Sequence, residues 1–184
     1  MAGQPHVALL RGINVGGRKA VPMKELAACV EAGGHPDVRT YIQSGNVLFS
    51  TDSTDARALE VDLERRIEDH FGFPVPVVVR SLPEMAATVE SAPAIFGGPD
   101  HRCDVIFLKH PLTAEDAFAA LPKPVEGVDQ CWMGPAGCLY WARLDEKASK
   151  SRLSRIASSP IYSSITVRNW NTTSKLHALL TEYA

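Results

Sequence analysis

The residues best suited to chemistry form a glycine-rich, basic connection near the N-terminus. The stretch RGINVGGRK, residues 11–19, follows an apolar run at 7–10 and precedes a helical pattern. Exposed N–H groups of a glycine loop, together with guanidinium and ammonium groups, suit phosphate or carboxylate oxygens. The candidate ligand-binding residues here are Arg11, Gly12, Asn14, Gly16, Gly17, Arg18 and Lys19. The alternative is turn chemistry alone, because glycine tolerates positive φ and asparagine often bonds its own backbone.

This loop does not have the sequence of a nucleotide-hydrolysing P-loop. Gly12 and Gly17 have the required glycine spacing, but Arg18, Lys19 and Ala20 stand where Lys followed by Ser or Thr is needed. The hydroxyl that would hold Mg²⁺ is therefore missing. The dinucleotide pattern G-x-G-x-x-G is also absent, since Gly12 is followed by three other residues before the next glycine.

A second constellation lies near the C-terminus, where the basic residues between Lys147 and Lys175 are not interrupted by Asp or Glu. It contains the motif RNWNT at the start of the predicted terminal helix, whose N-terminus favours anions. The candidate ligand-binding residues here are Arg168, Asn169, Trp170, Thr172 and Lys175. Two alternatives stay open: Asn171 or Thr172 caps the helix while Trp170 packs in the core, and the cationic run is a solvated face.

Composition excludes several classes of function. The 184 residues carry a formal charge of −2, which gives no overall bias toward nucleic acid or membrane. The sequence shows neither the cationic start and apolar stretch of a signal peptide nor an apolar run long enough to span a membrane. We therefore expect a cytoplasmic protein. The four cysteines lack Cys-x-x-Cys spacing, and we expect neither a metal nor a cofactor. The sequence shows neither a nucleophile placed beside a base nor a pair of carboxylates, the arrangements that would indicate catalysis.

The elements that must position these residues alternate regularly in the first half. Strands are predicted at 7–10, 38–43, 47–50 and 75–79, with a helix at 22–31. A second helix is predicted from Leu59, Leu63, Ile67 and Phe71, which recur every four residues and form one apolar stripe. This order, βαββαβ, is that of a split βαβ or ferredoxin-like unit.

The second half repeats this order after an extra linking helix that opens at Ser81. Strands are predicted at 105–108, 128–133, 138–144 and 165–168, and helices from Thr113, at 151–157 and at 172–183. The predicted fold class is therefore α+β, with two tandem ferredoxin-like units at 1–80 and 81–184. Each would have an antiparallel sheet with helices packed on one face, and the second would add the linking and C-terminal helices.

This topology predicts that the first loop meets the turn between the second and third strands. In a split βαβ unit the third strand lies between the first two and antiparallel to both, so both connections reach the same end of the sheet. The turn and its preceding strand add the candidate ligand-binding residues Tyr41, Ser44, Gly45 and Asn46.

Base stacking on the sheets is a weaker expectation. RNA-recognition modules stack bases on aromatics of the two central strands, and the first unit offers only Phe49 there. The second unit has Phe107, Tyr140 and Trp141 without the accompanying Lys/Arg-Gly-Phe/Tyr signature. Nucleic acid therefore stays an alternative partner.

The sequence resembles a bacterial family called domain of unknown function 1697. The matching stretches are residues 8–17, 21–26, 39–47 and 166–172, with Lys175 and Leu176. The resemblance implies a small cytosolic protein built from two ferredoxin-like halves, and it implies no activity. The motif residues that it covers are Arg11, Gly12, Asn14, Gly16, Tyr41, Ser44, Gly45, Asn46, Arg168, Asn169, Trp170, Thr172 and Lys175.

The leading functional hypothesis is a protein that binds an anionic ligand in a cleft. The cleft would be lined by the loop at 11–19, the Ser-Gly-Asn turn at 44–46 and the segment 168–175, with Tyr41 or Trp170 as a stacking face. One alternative is an enzyme that uses Ser44, Tyr41 or Lys175 on such a ligand. Another is an interaction module whose motif residues are structural. The oligomeric state is not predicted.

Overall fold

The chain folds into two compact units, each with its own four-stranded antiparallel sheet and helices. The computed structural model describes residues 3–17 and 19–183. The first unit comprises Met1–Pro83 with Ala178–Ala184, and the second comprises Glu84–His177. Within the described residues, no helix is long and apolar enough to cross a membrane.

The first unit follows the predicted order of elements. The strands are β1 (Gln4–Leu10), β2 (Arg39–Tyr41), β3 (Asn46–Thr51) and β4 (Val77–Ser81). The helices are α1 (Met23–Glu31) and α2 (Ala56–Phe71). The strands pair in the order β2-β3-β1-β4, and every neighbouring pair is antiparallel. As predicted, the third strand lies between the first two.

Helix α2 shows why the local sequence folds in this way. Asp55 caps it by accepting a hydrogen bond from the backbone N–H of Ala58 at 2.9 Å. Gly72 ends it in the left-handed conformation at φ 79°. The predicted stripe is confirmed, since its members Leu59, Leu63 and Ile67 are buried in the core cluster formed with β1, β3 and β4.

The second unit repeats the pairing order of the first. Its strands are β5 (His101–Leu108), β6 (Asp129–Gly134), β7 (Cys138–Leu144) and β8 (Ile165–Asn169). Its helices are α3 (Leu82–Glu90), α4 (Ala114–Ala120) and α5 (Trp170–Tyr183). Helix α3 begins two residues before the unit does, and helix α5 continues beyond the last residue of the unit. The strands pair in the order β6-β7-β5-β8, again antiparallel throughout.

The short helix predicted at 151–157 forms as a 3₁₀ helix and not as an α-helix. Three short 3₁₀ helices at Asp145–Lys150, Leu153–Ser158 and Tyr162–Ser164 occupy this part of the chain. Serine side chains bond nearby backbone groups and compete with the α-helical pattern: the Ser151 hydroxyl accepts from the N–H of Leu153 at 3.1 Å, and the Ser159 hydroxyl donates to the carbonyl of Ile156 at 2.7 Å.

Helices cover both faces of the second sheet, which differs from the predicted single face. Trp141 packs in a core cluster with Ala117 of α4. The adjacent residue Tyr140 points to the opposite face, where its hydroxyl donates to the carbonyl of Thr88 in α3 at 2.6 Å. The linking helix therefore lies on the opposite face from α4.

Two element boundaries matter for the site. Strand β5 begins at His101, four residues before the predicted strand, so Asp104 lies within the sheet. Helix α5 begins at Trp170, two residues before the predicted helix, so Asn169 directly precedes it. Both shifts bring polar residues to the same end of the second sheet, because Asp104 and Asn169 are register partners across β5 and β8.

Candidate functional site

The glycine loop and the Ser-Gly-Asn turn meet at one end of the first sheet, as the topology predicts. The N–H of Leu10 donates to the carbonyl of Gly45 at 2.8 Å. The side-chain amide of Asn14 donates to the carbonyl of Gln43 at 3.0 Å. Two segments separated by about thirty residues in the chain thus form one surface.

Asn14 holds this surface together. Its Oδ1 accepts from the N–H of Val21 at 2.8 Å, and its Nδ2 also donates to the carbonyl of Val21 at 3.0 Å. Its backbone N–H donates to the carbonyl of Lys19 at 3.1 Å. Since both polar ends of the Asn14 amide bond the protein, this residue fixes the loop conformation.

Asn46 is fully buried and belongs to the first position of β3 rather than to the turn, which covers residues 42–45. Its Nδ2 donates to the carbonyl of Tyr41 at 2.9 Å and to the hydroxyl of Ser44 at 3.1 Å. Gly45 has φ 81°, and a Cβ there would lie 2.6 Å from Cδ1 of Ile13. The turn motif is therefore explained by packing and backbone geometry.

The remaining loop residues divide into bonded and exposed groups. Lys19 Nζ donates to the carbonyl of Pro74 at 2.8 Å and lies 5.6 Å from the centre of the Phe73 ring. Arg11 is half-buried, and Arg18 lies outside the described residues. Three exposed glycines have φ between 60° and 71°, namely Gly12, Gly16 and Gly17. These positive φ values are enough to explain why glycine occupies the three positions.

In the second unit, the motif RNWNT forms the start of α5. The side chain of Asn169 caps the helix by accepting from the N–H of Thr172 at 2.8 Å. The expected cap at Asn171 or Thr172 is wrong, because the helix begins earlier than predicted. Thr172 is buried, whereas Asn171 and Lys175 are exposed.

Arg168 is buried with only 8% of its surface exposed. Its Nη1 donates to the hydroxyl of Thr166 at 3.1 Å and to the carbonyl of Val167 at 3.0 Å. Burial lowers the pKa of Arg168 to about 10, so the guanidinium remains charged at neutral pH. These bonds direct Arg168 to the protein interior, which favours the structural interpretation for this residue.

A polar cavity of about 490 Å³ opens beside the first turn of α5. Two of its lining residues, Asn169 and Trp170, were predicted from the sequence. The others are Gly97, Gly98, His101, Arg102, Cys103, Asp104, Arg143 and Asn171. All of them lie within the second unit.

Two arginines lie opposite each other at this cavity. Arg102 and Arg143 are register partners across β5 and β7, so their side chains leave the same face of the sheet. Arg102 pairs with the carboxylate of Asp145 at the exposed rim. Arg143 is less exposed, and its Nη2 lies 3.3 Å from Oδ2 of Asp104.

Asp104 is the most unusual group in the cavity. The residue is 8% exposed, and no described protein group makes a hydrogen bond to its Oδ2. The Arg143 guanidinium is at ion-pair distance but lacks hydrogen-bond geometry. Burial raises the pKa of Asp104, and the charge of Arg143 only partly opposes this rise.

Trp170 supplies an aromatic wall to the cavity. Its ring packs edge-on against Phe96, with ring centres 5.2 Å apart. Gly97 approaches closely, since a Cβ there would lie 3.2 Å from Nε1 of Trp170. The tryptophan is therefore held by its neighbours and remains half-buried.

The thiols of Cys103 and Cys131 offer little reactivity. Burial raises the pKa of Cys103, which lines the cavity, and raises that of Cys131 to about 12. A raised pKa leaves less of the nucleophilic thiolate at neutral pH. In the part of the chain that the structure describes, no group of three His, Cys, Asp or Glu residues could hold a metal ion.

The profile of the family described as "Protein of unknown function (DUF1697)" matches residues 4–140. The chain belongs to the DUF1697 family. Among solved structures, this DUF1697 protein is similar to the conserved bacterial protein SP0830 from Streptococcus pneumoniae. The TM-score is 0.85 at 28% sequence identity, and the match covers 96% of this chain and 98% of that chain. No curated protein matches the chain.

In this DUF1697 protein, sequence reasoning missed Asp104 and Arg143. Asp104 directly precedes the apolar run 105–108, which is the whole of the predicted strand. Aspartate is uncommon at the edge of a buried apolar strand, and this feature of the sequence could have indicated a functional residue. For Arg143 no local signal existed, because only the pairing of β5 with β7 brings it close to Asp104.

Proposed function

We propose that this DUF1697 protein binds a small organic anion in the cavity of the second unit. The observation that carries the proposal is that Arg143 and the first turn of α5 line one cavity. A guanidinium fork suits phosphate or carboxylate oxygens, and a helix N-terminus adds partial positive charge. Arg102 adds a second cation at the rim.

The size of the cavity supports a ligand larger than inorganic phosphate. About 490 Å³ falls within the range of pockets that hold cofactors and metabolites. Trp170 offers an aromatic surface, and Asn169 and Asn171 offer polar groups. A nucleotide or another phosphorylated metabolite fits this combination, and the end of a nucleic acid is the alternative source of the same groups.

The sequence predicted a wider cleft, and parts of that prediction stay open. Asn169 and Trp170 line the cavity proposed here. The exposed glycines Gly12, Gly16 and Gly17 remain proposed anion contacts of the first unit. The hydrogen bonds of Asn14, Asn46 and Arg168 support the structural alternative for those three residues.

We also propose that the chain is a duplication of two tandem ferredoxin-like units, at 1–80 and 81–184. The support is that both sheets have the same strand order relative to the chain, 2-3-1-4 within each half. The cytoplasmic location and the lack of a cofactor stay predictions from the sequence.

Calorimetric titration with AMP, GMP, CMP and ribose 5-phosphate tests the binding proposal. Arg143→Gln should weaken binding of any ligand found by about tenfold or more, since it removes a charge-assisted contact. Arg155→Gln is the matched control, because Arg155 is an exposed arginine of the same unit. We expect it to change affinity by less than about twofold.

The outcomes separate clearly. Equal effects of the two substitutions would mean that general charge, and not the cavity, attracts the ligand. Failure of all four compounds to bind at millimolar concentration would remove the proposal of a phosphorylated ligand.

A further inference from the structure

The carboxyl group of Asp104 is buried, and one of its oxygens receives no hydrogen bond from the described residues. A buried carboxylate is costly unless donors surround it, so native structures usually supply them. In the described residues, Oδ2 of Asp104 receives no hydrogen bond, although the residue is 8% exposed and lines the cavity. An acceptor without a hydrogen bond from the described residues thus lies within the cavity wall, next to the guanidinium of Arg143.

Asp129 in the same unit shows how this fold treats a carboxylate that serves structure. It is 6% exposed, and its Oδ1 accepts from Nε1 of Trp141 at 3.2 Å. Its Oδ2 accepts from the N–H groups of Val125 at 3.1 Å and Arg152 at 3.0 Å. Every oxygen of Asp129 has a donor, and Asp104 does not follow this pattern.

An ionised carboxylate only accepts hydrogen bonds, so a group that satisfies Oδ2 must carry a proton on nitrogen or oxygen. We infer that Asp104 selects ligands that carry an exocyclic amino group in addition to their anionic group, as amino-bearing nucleotides do. This inference rests on the proposed function and specifies the ligand class of the same site.

The arrangement around Asp104 suits such a ligand. Arg143 lies 3.3 Å from Oδ2, so an acceptor and a cation stand side by side on the cavity wall. Trp170 lies in the same lining and can contact a ring. A purine or pyrimidine with an exocyclic amino group carries its donor on a flat ring, at a distance from its phosphate.

Two ligand pairs test the inference without any variant. GMP and IMP differ only in one exocyclic amino group, and CMP and UMP differ in an amino group and its neighbouring ring proton. At pH 8, well above the ordinary range of an aspartate, we expect the amino-bearing member of at least one pair to bind about fivefold tighter or more.

Variants then assign the preference to Asp104. Asp104→Ala should reduce the preference within that pair to less than about twofold, because the acceptor is gone. Asp145→Asn is the control, since it removes an exposed carboxylate that pairs with Arg102 at the same rim. It should leave the preference unchanged. A thermal melt of each variant establishes that it is folded.

The results distinguish this inference from the proposed function. Equal binding within both pairs by the wild-type protein, or a preference that survives in Asp104→Ala, would overturn the role of Asp104 and leave the anion site standing. If no member of either pair binds, the inference fails, and the proposed function fails with it only when AMP and ribose 5-phosphate also do not bind.

Discussion

Two regions of this molecule present asparagine, glycine and basic side chains, and they use them differently. In the first unit, the side chain of Asn14 bonds Val21 and Gln43, that of Lys19 bonds the carbonyl of Pro74, and that of Ser44 accepts from Asn46. In the second unit, the cavity beside α5 keeps Asn171 exposed and leaves Oδ2 of Asp104 without a hydrogen bond from the described residues.

The comparison shows that a motif rich in glycine and asparagine is weak evidence for a ligand. The positive φ values of the loop and the bonds of Asn14 account for much of the first motif. Oδ2 of Asp104 has the ion pair with Arg143 but no hydrogen bond from the described residues, and such incomplete pairing of a buried carboxylate costs stability. The functional signal therefore lies in an unsatisfied group rather than in the more conspicuous sequence pattern.

The largest expected effect is that of Gly45→Ala in the turn. A Cβ there would lie 2.6 Å from Cδ1 of Ile13 and 2.8 Å from Cβ of Leu10, at φ 81°. Left-handed strain and overpacking together should lower the free energy of unfolding by about 2–4 kcal/mol in urea titrations. Gly16→Ala is the control, with φ 60° and no atom within 4 Å, and should cost only about 1 kcal/mol. Equal losses would contradict the packing explanation.

The next effect contrasts the two buried carboxylates of the second unit. Burial alone would raise the pKa of Asp129, but the hydrogen bonds that it accepts lower it below 3.8. Asp129→Asn should lower the free energy of unfolding at pH 7 by about 1.5–3 kcal/mol, because an amide cannot accept all three bonds. The stability due to Asp129 is present above pH 3.8 and is lost as pH falls through the folded pKa, so the loss should shrink in acid.

Asp104 should show the opposite pH dependence. Its folded pKa is raised above the ordinary 3.8, so its contribution is most favourable below that pH and is lost as pH rises through the folded value. Relative to wild type, Asp104→Asn should therefore be more stable at pH 7 than at pH 3. Unfolding free energies measured between pH 3 and 7 check both signs, and parallel curves for the two variants would break the comparison.

A smaller effect distinguishes the asparagines of the two regions. Asn14→Ala removes three side-chain hydrogen bonds that join the loop to Val21 and Gln43, and should cost about 1–2 kcal/mol. Asn171→Ala removes an exposed side chain and should change stability by less than about 0.5 kcal/mol. Comparable melting temperatures for the two variants would show that Asn14 does not hold the loop.

The smallest effect is expected for Arg102→Gln at the rim of the cavity. Its ion pair with Asp145 is largely exposed, with 62% and 50% of the two side chains accessible. Exposed pairs contribute little, so the free energy of unfolding should change by less than about 0.5 kcal/mol. A larger loss in denaturant titrations would mean that Arg102 stabilises the fold and is not available to bind a ligand.

Sequence reasoning was most successful where one element alone carried the pattern. The stripe on α2, the start of a helix at Thr113 and the glycines of the loop follow from periodicity and local backbone chemistry, and all are found. At 151–157 it predicted a helix but not its 3₁₀ type, which serine side chains favour by bonding nearby backbone groups. It also placed the helix cap two or three residues too late, because the boundary depends on where β8 ends.

The sequence by itself determined the alternation of strands and helices and the meeting of the first loop with its turn, since periodicity and chain topology depend on local order. Only the tertiary structure decided which polar groups are satisfied. Whether a donor meets an acceptor depends on the register of strands far apart in the chain, and that register brought Asp104, Arg143 and the start of α5 to one cavity.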